Sequence, residues 1–211
     1  MIKILLIEDR IHRQKNIFGK NLVELNKFSI LKNISGGNDF VDIQKKLINK
    51  EYSALEEYST IMLHRSAFET NTRNGLIDFL KKTNKKIVFF SGGISGCQIS
   101  KIGSLEFLLI NVNHFYSENL LLFLKNDAQN LLELAFGDNW QISNLVDAYD
   151  KLTLYSKSFT KKPWPSIEVD LKLNNWIREG YFSELSHRDF INKSDLEEVS
   201  KKMNSDLKKL I

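Results

Sequence analysis

Two adjacent carboxylates, Glu8 and Asp9, close the first apolar run of the chain, and a histidine, His64, closes a third such run. A carboxylate beside an imidazole can do several kinds of work. It can make a general base or a charge-paired histidine of raised pKa, or it can bind a transition metal. The least demanding use is a structural ion pair standing where a metal would otherwise sit. Ser91-Gly92-Gly93-Ile94-Ser95 follows another apolar run. Backbone N–H groups of such a turn, placed at a helix start, can cradle phosphate. The lysine-serine pair of the P-loop pattern does not follow it, which weakens that reading. His12, Arg13 and Arg65 put cations near the same rim. They are expected to be solvated or paired with Glu8 and Asp9, with anion binding by Arg13, Arg65, Gly92 and Gly93 as the minority reading.

These residues need a scaffold that gathers them, and the hydrophobic pattern predicts one. Ile2 to Ile7 is short, apolar and rich in branched residues, as in a buried parallel strand delivering Glu8 and Asp9 to its carboxyl edge. Ile11, Gln14, Phe18, Leu22 and Leu25 recur at helical spacing to about Asn26. Phe28 to Ile34 reads as a second strand, closed by Ser35-Gly36-Gly37, and a helix is expected over much of 39–57. Tyr58 to Leu63 makes a third strand, Gly75 to Lys82 a helix and Lys86 to Phe90 a fourth strand. Leu105 to Ile110 is the fifth, and Ser117 to Leu134 has the periodicity of one long helix. Strands alternating with helices at this spacing predict a doubly wound parallel sheet, whose ligand sites lie at the carboxyl ends of the strands. Glu8, Asp9, His64, Ser91 and Asn113 should therefore converge on one edge.

Beyond residue 126 the alternation stops. Trp140 to Tyr155 reads as a helix, Lys161-Lys162-Pro163-Trp164-Pro165 as a break before another, and Ser194-Asp195-Leu196-Glu197 as a capping box opening a last helix to the C-terminus. No strand is expected here. The chain accordingly divides into an α/β domain over 1–126 and an α-helical extension over 127–211.

The N-terminal part resembles the receiver domains of response regulators. Ile4-Leu5-Leu6-Ile7-Glu8-Asp9 is similar to their first strand, which ends in paired acids that bind magnesium. Tyr58 to His64 resembles their third strand, with His64 in the place of the phosphoryl-accepting aspartate. Phe89-Phe90-Ser91-Gly92 resembles the fourth, with Ser91 as the hydroxyl, and Asn113-His114-Phe115 resembles the Lys-Pro-Phe junction with asparagine for lysine. The resemblance covers residues 1–126 and implies a flavodoxin-like five-stranded parallel sheet of order 2-1-3-4-5. It also implies that the chemistry has been lost. Aspartyl-phosphate formation needs a carboxylate nucleophile, magnesium and usually a lysine answering the new charge. Neutral imidazole is a poor ligand for a hard cation, and Asn113 brings no charge. No cofactor is expected, and any divalent ion would be held by Glu8 and Asp9.

Composition bounds the rest. With 211 residues, 42% hydrophobic and 27% charged, the chain can bury a full core and carries no sign of long disorder. No apolar run approaches the roughly 18–20 residues of a membrane span, and the start lacks a signal-peptide pattern. With one cysteine, Cys97, these features set the expectation of a cytoplasmic protein. The basic excess lies wholly in residues 1–126 and the remainder is slightly acidic, too mild an asymmetry to point to nucleic acid. Trp140, Trp164 and Trp176 are read as packing anchors of the tail, and His114 and His187 as packing and surface residues. The expected function is that of a non-phosphorylated regulatory module in a bacterial-type signalling system, binding a protein partner and, by analogy, pairing as a homodimer. The alternative is a small metal-dependent hydrolase, phosphatase-like or nuclease-like, built on the strand-end acids.

Overall fold

The computed structural model describes residues 3–210, so Met1, Ile2 at the start of the first run and the terminal Ile211 lie outside the described residues. The first unit opens with β1 (Ile4–Glu8), α1 (Ile11–Phe18), α2 (Asn21–Leu25), β2 (Leu31–Ser35), α3 (Gly37–Ile48), β3 (Thr60–His64) and α4 (Thr70–Leu80). There follow β4 (Lys86–Ser91), β5 (Cys97–Ile102), β6 (Leu105–Asn111), α5 (Val112–Phe115), α6 (Glu118–Lys125) and α7 (Leu131–Phe136). The sheet has six strands in the order β2-β1-β3-β4-β6-β5. Five strands run parallel, and β5 pairs antiparallel with β6 at the edge.

The fold is thus a mostly parallel α/β sheet, and the five-strand count and simple 2-1-3-4-5 order need correction. The predicted fifth strand is β6. A further strand, β5, folds back on it as a hairpin at the edge. Its turn is fixed by Gly103, whose φ of 62° lies in the left-handed region and whose added Cβ would overlap the carbonyl oxygen of Lys81 at the end of α4.

Why the sheet is wound on both faces is written in its alternation. Leu6, Met62, Val88, Phe90, Leu108 and Ile110 go to one core with Phe18, Leu25 and the helices α5 to α7. Leu5, Ile7, Ile61, Leu63, Ile87 and Phe89 go to the other with Phe40, Leu47, Leu76 and Leu80 of α3 and α4. Successive side chains of a strand face opposite ways, so strands with both faces covered must be apolar throughout. β1 and β3 are buried at every position.

Two predicted helices are each broken in two. The first stops at Gly19, at φ 53°, so that α1 and α2 replace a single helix to Asn26. The second stops at Asn126, where Asp127 and Ala128 both take positive φ, and α7 restarts behind an Asn130 side chain that accepts from the Leu132 N–H. Leu131, Leu134 and Ala135 of α7 are buried in the first core, so the division between compact units falls after Asp138, later than residue 126.

The second unit comprises α8 (Trp140–Lys157), β7 (Lys162–Pro163), α9 (Trp164–Leu171), α10 (Asn175–Tyr181), β8 (Phe190–Ile191) and α11 (Lys193–Leu210). It is mainly helical, but β7 and β8 pair antiparallel where no strand was expected. Its own core gathers Leu145, Leu152, Trp164, Ile167, Phe182, Leu196 and Met203. Trp164 is buried there, whereas Trp140 and Trp176 are half-buried and meet edge to face at 5.3 Å. The capping box of α11 begins at Asn192: its side chain accepts from the Asp195 N–H, and the Asp195 carboxylate accepts from the Asn192 N–H. Among the described residues no helix is long and apolar enough to cross a membrane.

Candidate functional site

Strand register brings the strand-end residues together. Ile7 pairs with Leu63, so Glu8 and His64, each one step further, arrive side by side at the carboxyl edge of the sheet. Glu8, Asp9 and His64 each offer a ligand atom, all within 4.8 Å of one another. Glu8 is fully buried and His64 is 3% exposed.

A cation from the same chain already sits between the acids. Arg13, on the first turns of α1, lies five residues beyond Glu8 and four beyond Asp9, a spacing at which a helical side chain reaches back to the strand end. Its Nη1 donates to Glu8 Oε1 and, at 2.8 Å, to Asp9 Oδ1. The remaining carboxylate positions are also engaged. The Arg10 N–H donates to Glu8 Oε1 at 3.1 Å, the Tyr116 hydroxyl to Glu8 Oε2 at 3.1 Å, and Arg10 Nε lies 3.4 Å from Asp9 Oδ2. His64 Nδ1 is 2.9 Å from the Ser66 hydroxyl and 3.4 Å from Asp9 Oδ1, and its ring stands edge-on to Phe90 at 5.4 Å.

Burial then sets the charges. Desolvation, with a hydrogen bond to Asp9, pushes the Glu8 carboxyl up to about 8 against the pull of Arg13. Asp9 is also opposed by burial, but hydrogen bonds from Glu8 and Arg13 hold it below the usual carboxylate range. Burial, aided by Arg13, pushes His64 down to about 4 despite Asp9. At neutral pH the site thus holds a protonated Glu8, an ionised Asp9, the Arg13 cation and a neutral imidazole. Its charges cancel. A divalent ion entering here would have to displace Arg13 and strip the proton from Glu8.

The turn behind His64 is gripped from two helices. Gln44 Nε2 of α3 donates to the Ala67 carbonyl at 3.0 Å. Arg73 of α4 donates to the Arg65 carbonyl at 3.0 Å and to the Phe68 carbonyl, with Thr70 Oγ1 at 2.9 Å. Ser66, which holds the imidazole, lies inside this turn.

The other predicted residues form a separate group. Ser91 Oγ accepts from the Gly93 N–H at 3.4 Å, and the Asn111 amide donates to the Ile94 carbonyl at 2.8 Å and the Gly92 carbonyl at 3.4 Å. Asn113 is exposed, and its N–H donates to Asn111 Oδ1. No helix follows Gly93; the chain turns into β5, so the helix-start cradle expected of Ser91 to Ser95 is not formed. Among the described residues no hydrogen bond or ion pair joins Ser91, Gly92, Gly93 or Asn113 to the Glu8–Asp9–His64 group. Arg65 and His12 are exposed.

Tyr116 and Ser66 were missed from sequence. Tyr116 lies 108 residues from Glu8, and only the packing of the segment after α5 on the sheet makes them neighbours. A comparison of the chain with protein-family models, with curated proteins and with solved structures finds no match in any of the three.

Proposed function

We propose that the first unit is a receiver-like regulatory module that is not phosphorylated and acts by binding a protein partner. The observation that carries this reading is the position of Arg13. An internal guanidinium takes up the two acids that a magnesium-dependent phosphoryl acceptor would need free, and the imidazole of His64 beside them is held neutral. The mostly parallel sheet and the placing of acids and histidine at neighbouring strand ends support the resemblance to receivers. The antiparallel β5 and the separation of Asn113 from the acids depart from it. The test is mass spectrometry of the full chain after incubation with acetyl phosphate and magnesium, paired with affinity capture from the native host. An unchanged mass, and a captured partner retained by the Glu8→Gln and Asp9→Asn variants, are expected. Gain of a phosphoryl group would overturn the reading.

A metal-dependent hydrolase is the second reading, favoured by the grouping of three ligand atoms. It predicts manganese or zinc binding by calorimetry and phosphoester turnover that Asp9→Asn and His64→Ala abolish. Absence of both binding and turnover removes it.

A further inference from the structure

Away from the strand ends, the sheet stops at β5, which pairs on one side only. Its pairing with β6 runs one to one from Cys97–Ile110 to Ile102–Leu105, without a bulge. In an antiparallel ladder, pairs that exchange two hydrogen bonds alternate with pairs that exchange none. The Asn111 N–H donates to the Gly96 carbonyl at 3.1 Å, so Gly96–Asn111 is a bonded pair. Counting by two, Gln98–Leu109, Ser100–Phe107 and Ile102–Leu105 are the others. The N–H and C=O groups of Ile99 and Lys101 therefore point away from β6, and they have no hydrogen-bond partner among the described residues.

An open edge of this kind is a template for another strand, and folds that keep it apart blunt it with charge, proline, a bulge or a short strand. β5 has six residues and no proline, and its one charge, Lys101, stands directly opposite Glu106 on β6. The β5–β6 hairpin thus carries one charge of each sign and is neutral, so a second copy of it meets no electrostatic barrier. Its side chains also have room for more cover. Ile99 is half-buried on the face of the first core and Ile102 half-buried on the face of the second, with the neutral Gln98 and Ser100 alternating between.

We propose that β5 pairs antiparallel with β5 of a second copy of this chain, across a two-fold axis at Ser100, joining two sheets edge to edge. A two-fold contact brings a segment against its own reversal, so the segment has to match itself. About Ser100 it does. Ile99 of each copy exchanges both hydrogen bonds with Lys101 of the other, which uses every outward group of these two residues. Gln98 lies across from Ile102, and Ser100 meets its own copy in a close, non-bonded pair where two hydroxyls can hydrogen-bond. A register centred on Lys101 would set two ammonium groups face to face, whereas this one keeps them on a diagonal. One strand pair with its flanking side chains makes a small interface, below about 1,200 Å² in total, so the dimer is weak and forms with concentration. It needs nothing of the strand-end pocket, and its failure would leave the reading of that pocket untouched.

The test is sedimentation velocity of the full chain from about 1 to about 300 µM, over which monomer should give way to dimer. Ile99→Pro removes one outward N–H and leaves every bond to β6 in place, so it should hold the chain monomeric across that range with its circular dichroism unchanged. Cross-linking tests the register without proline. In a Cys97→Ser background, which leaves no other thiol, Ser100→Cys should form a disulfide-linked dimer under mild oxidation, because the facing Cα atoms of a non-bonded pair lie about 4.5 Å apart, within disulfide reach. Gln98→Cys in the same background faces the partner's Ile102 and should stay uncross-linked. A chain that is monomeric throughout the range, a dimer untouched by Ile99→Pro, or cross-linking at position 98 as strong as at position 100 would overturn the proposal.

Discussion

At Glu8 and His64 the fold holds two side chains away from their ordinary protonation, in opposite directions, and the pH dependence of stability follows from the signs. Glu8 is raised from 4.5 to about 8, so its contribution is full below 4.5 and is lost as pH rises through 8. His64 is lowered from 6.5 to about 4, so its contribution is full above 6.5 and is lost as pH falls through 4. Between pH 4.5 and 6.5 the two slopes oppose and nearly cancel. Above 6.5 only Glu8 still titrates, and urea unfolding should show stability declining by about 2 kcal/mol at most between neutrality and the end of its titration. Glu8→Gln should flatten that decline and cost little at pH 7, where the native glutamate already carries its proton. A second prediction concerns His64→Asp. Restoring the carboxylate alone should give neither magnesium binding nor phosphorylation, because Arg13 still occupies the acids; adding Arg13→Ala should allow magnesium binding by calorimetry. Magnesium binding to the single variant would show that Arg13 leaves readily. Much of this site was legible. Acids at one strand end, a histidine at another and a basic residue one helical turn on are local patterns, and pairing of Arg13 with Glu8 and Asp9 was among their expected uses. Tyr116 was not legible, because its tie to Glu8 depends on how the segment after α5 packs on the sheet and no local pattern encodes it.

At the scale of elements, the strands were readable because a strand buried on both faces must be apolar through its middle, as Ile4 to Ile7 of β1 and Ile61 to Leu63 of β3 are. The edge hairpin was not. Cys97-Gln98-Ile99-Ser100 alternates as a one-sided strand does but Lys101-Ile102 breaks the pattern, a weaker signal than an apolar run, and it was passed over between Ser91-Gly92-Gly93 and the fifth strand. The helix breaks divide in the same way. Gly19 is a residue suited to positive φ, whereas Ala128 at φ 55° has no side-chain feature that announces it. The hairpin turn offers a direct check. Gly103→Ala combines backbone strain with overlap on the Lys81 carbonyl and should cost about 1–3 kcal/mol by urea unfolding. The turn behind His64 offers another. Arg73→Ala removes its grip on the carbonyls of Arg65 and Phe68 and should let water reach the imidazole, so that the His64 ring signals titrate closer to 6.5 than to 4. An unchanged midpoint would show that Phe90 and the sheet hold the ring without the turn.

At the scale of the whole molecule, the decisive element is α7. The change of rhythm after residue 126 is a real feature of the sequence, because a loop at Asn126 to Asn130 does interrupt the helices there. It does not mark where the first core ends. Leu131 and Ala135 are nearly fully buried and Leu134 fully so in the cluster that also holds Phe90, Phe115 and Phe123. Each unit has its own apolar core, which is the condition for folding alone. A fragment of residues 1–138 should therefore unfold cooperatively in urea, as should 139–211. A fragment ending at residue 126 exposes the surface that α7 covers. Removing three buried apolar side chains at about 1–3 kcal/mol each takes away much of the margin of an ordinary domain. That shorter fragment should unfold at distinctly lower urea or bind a hydrophobic dye, and the Leu131→Ala, Leu134→Ala double variant of the full chain should destabilise the first unit in the same direction. If the fragment ending at 126 is as stable as the one ending at 138, the packing of α7 contributes nothing and the earlier boundary is the right one.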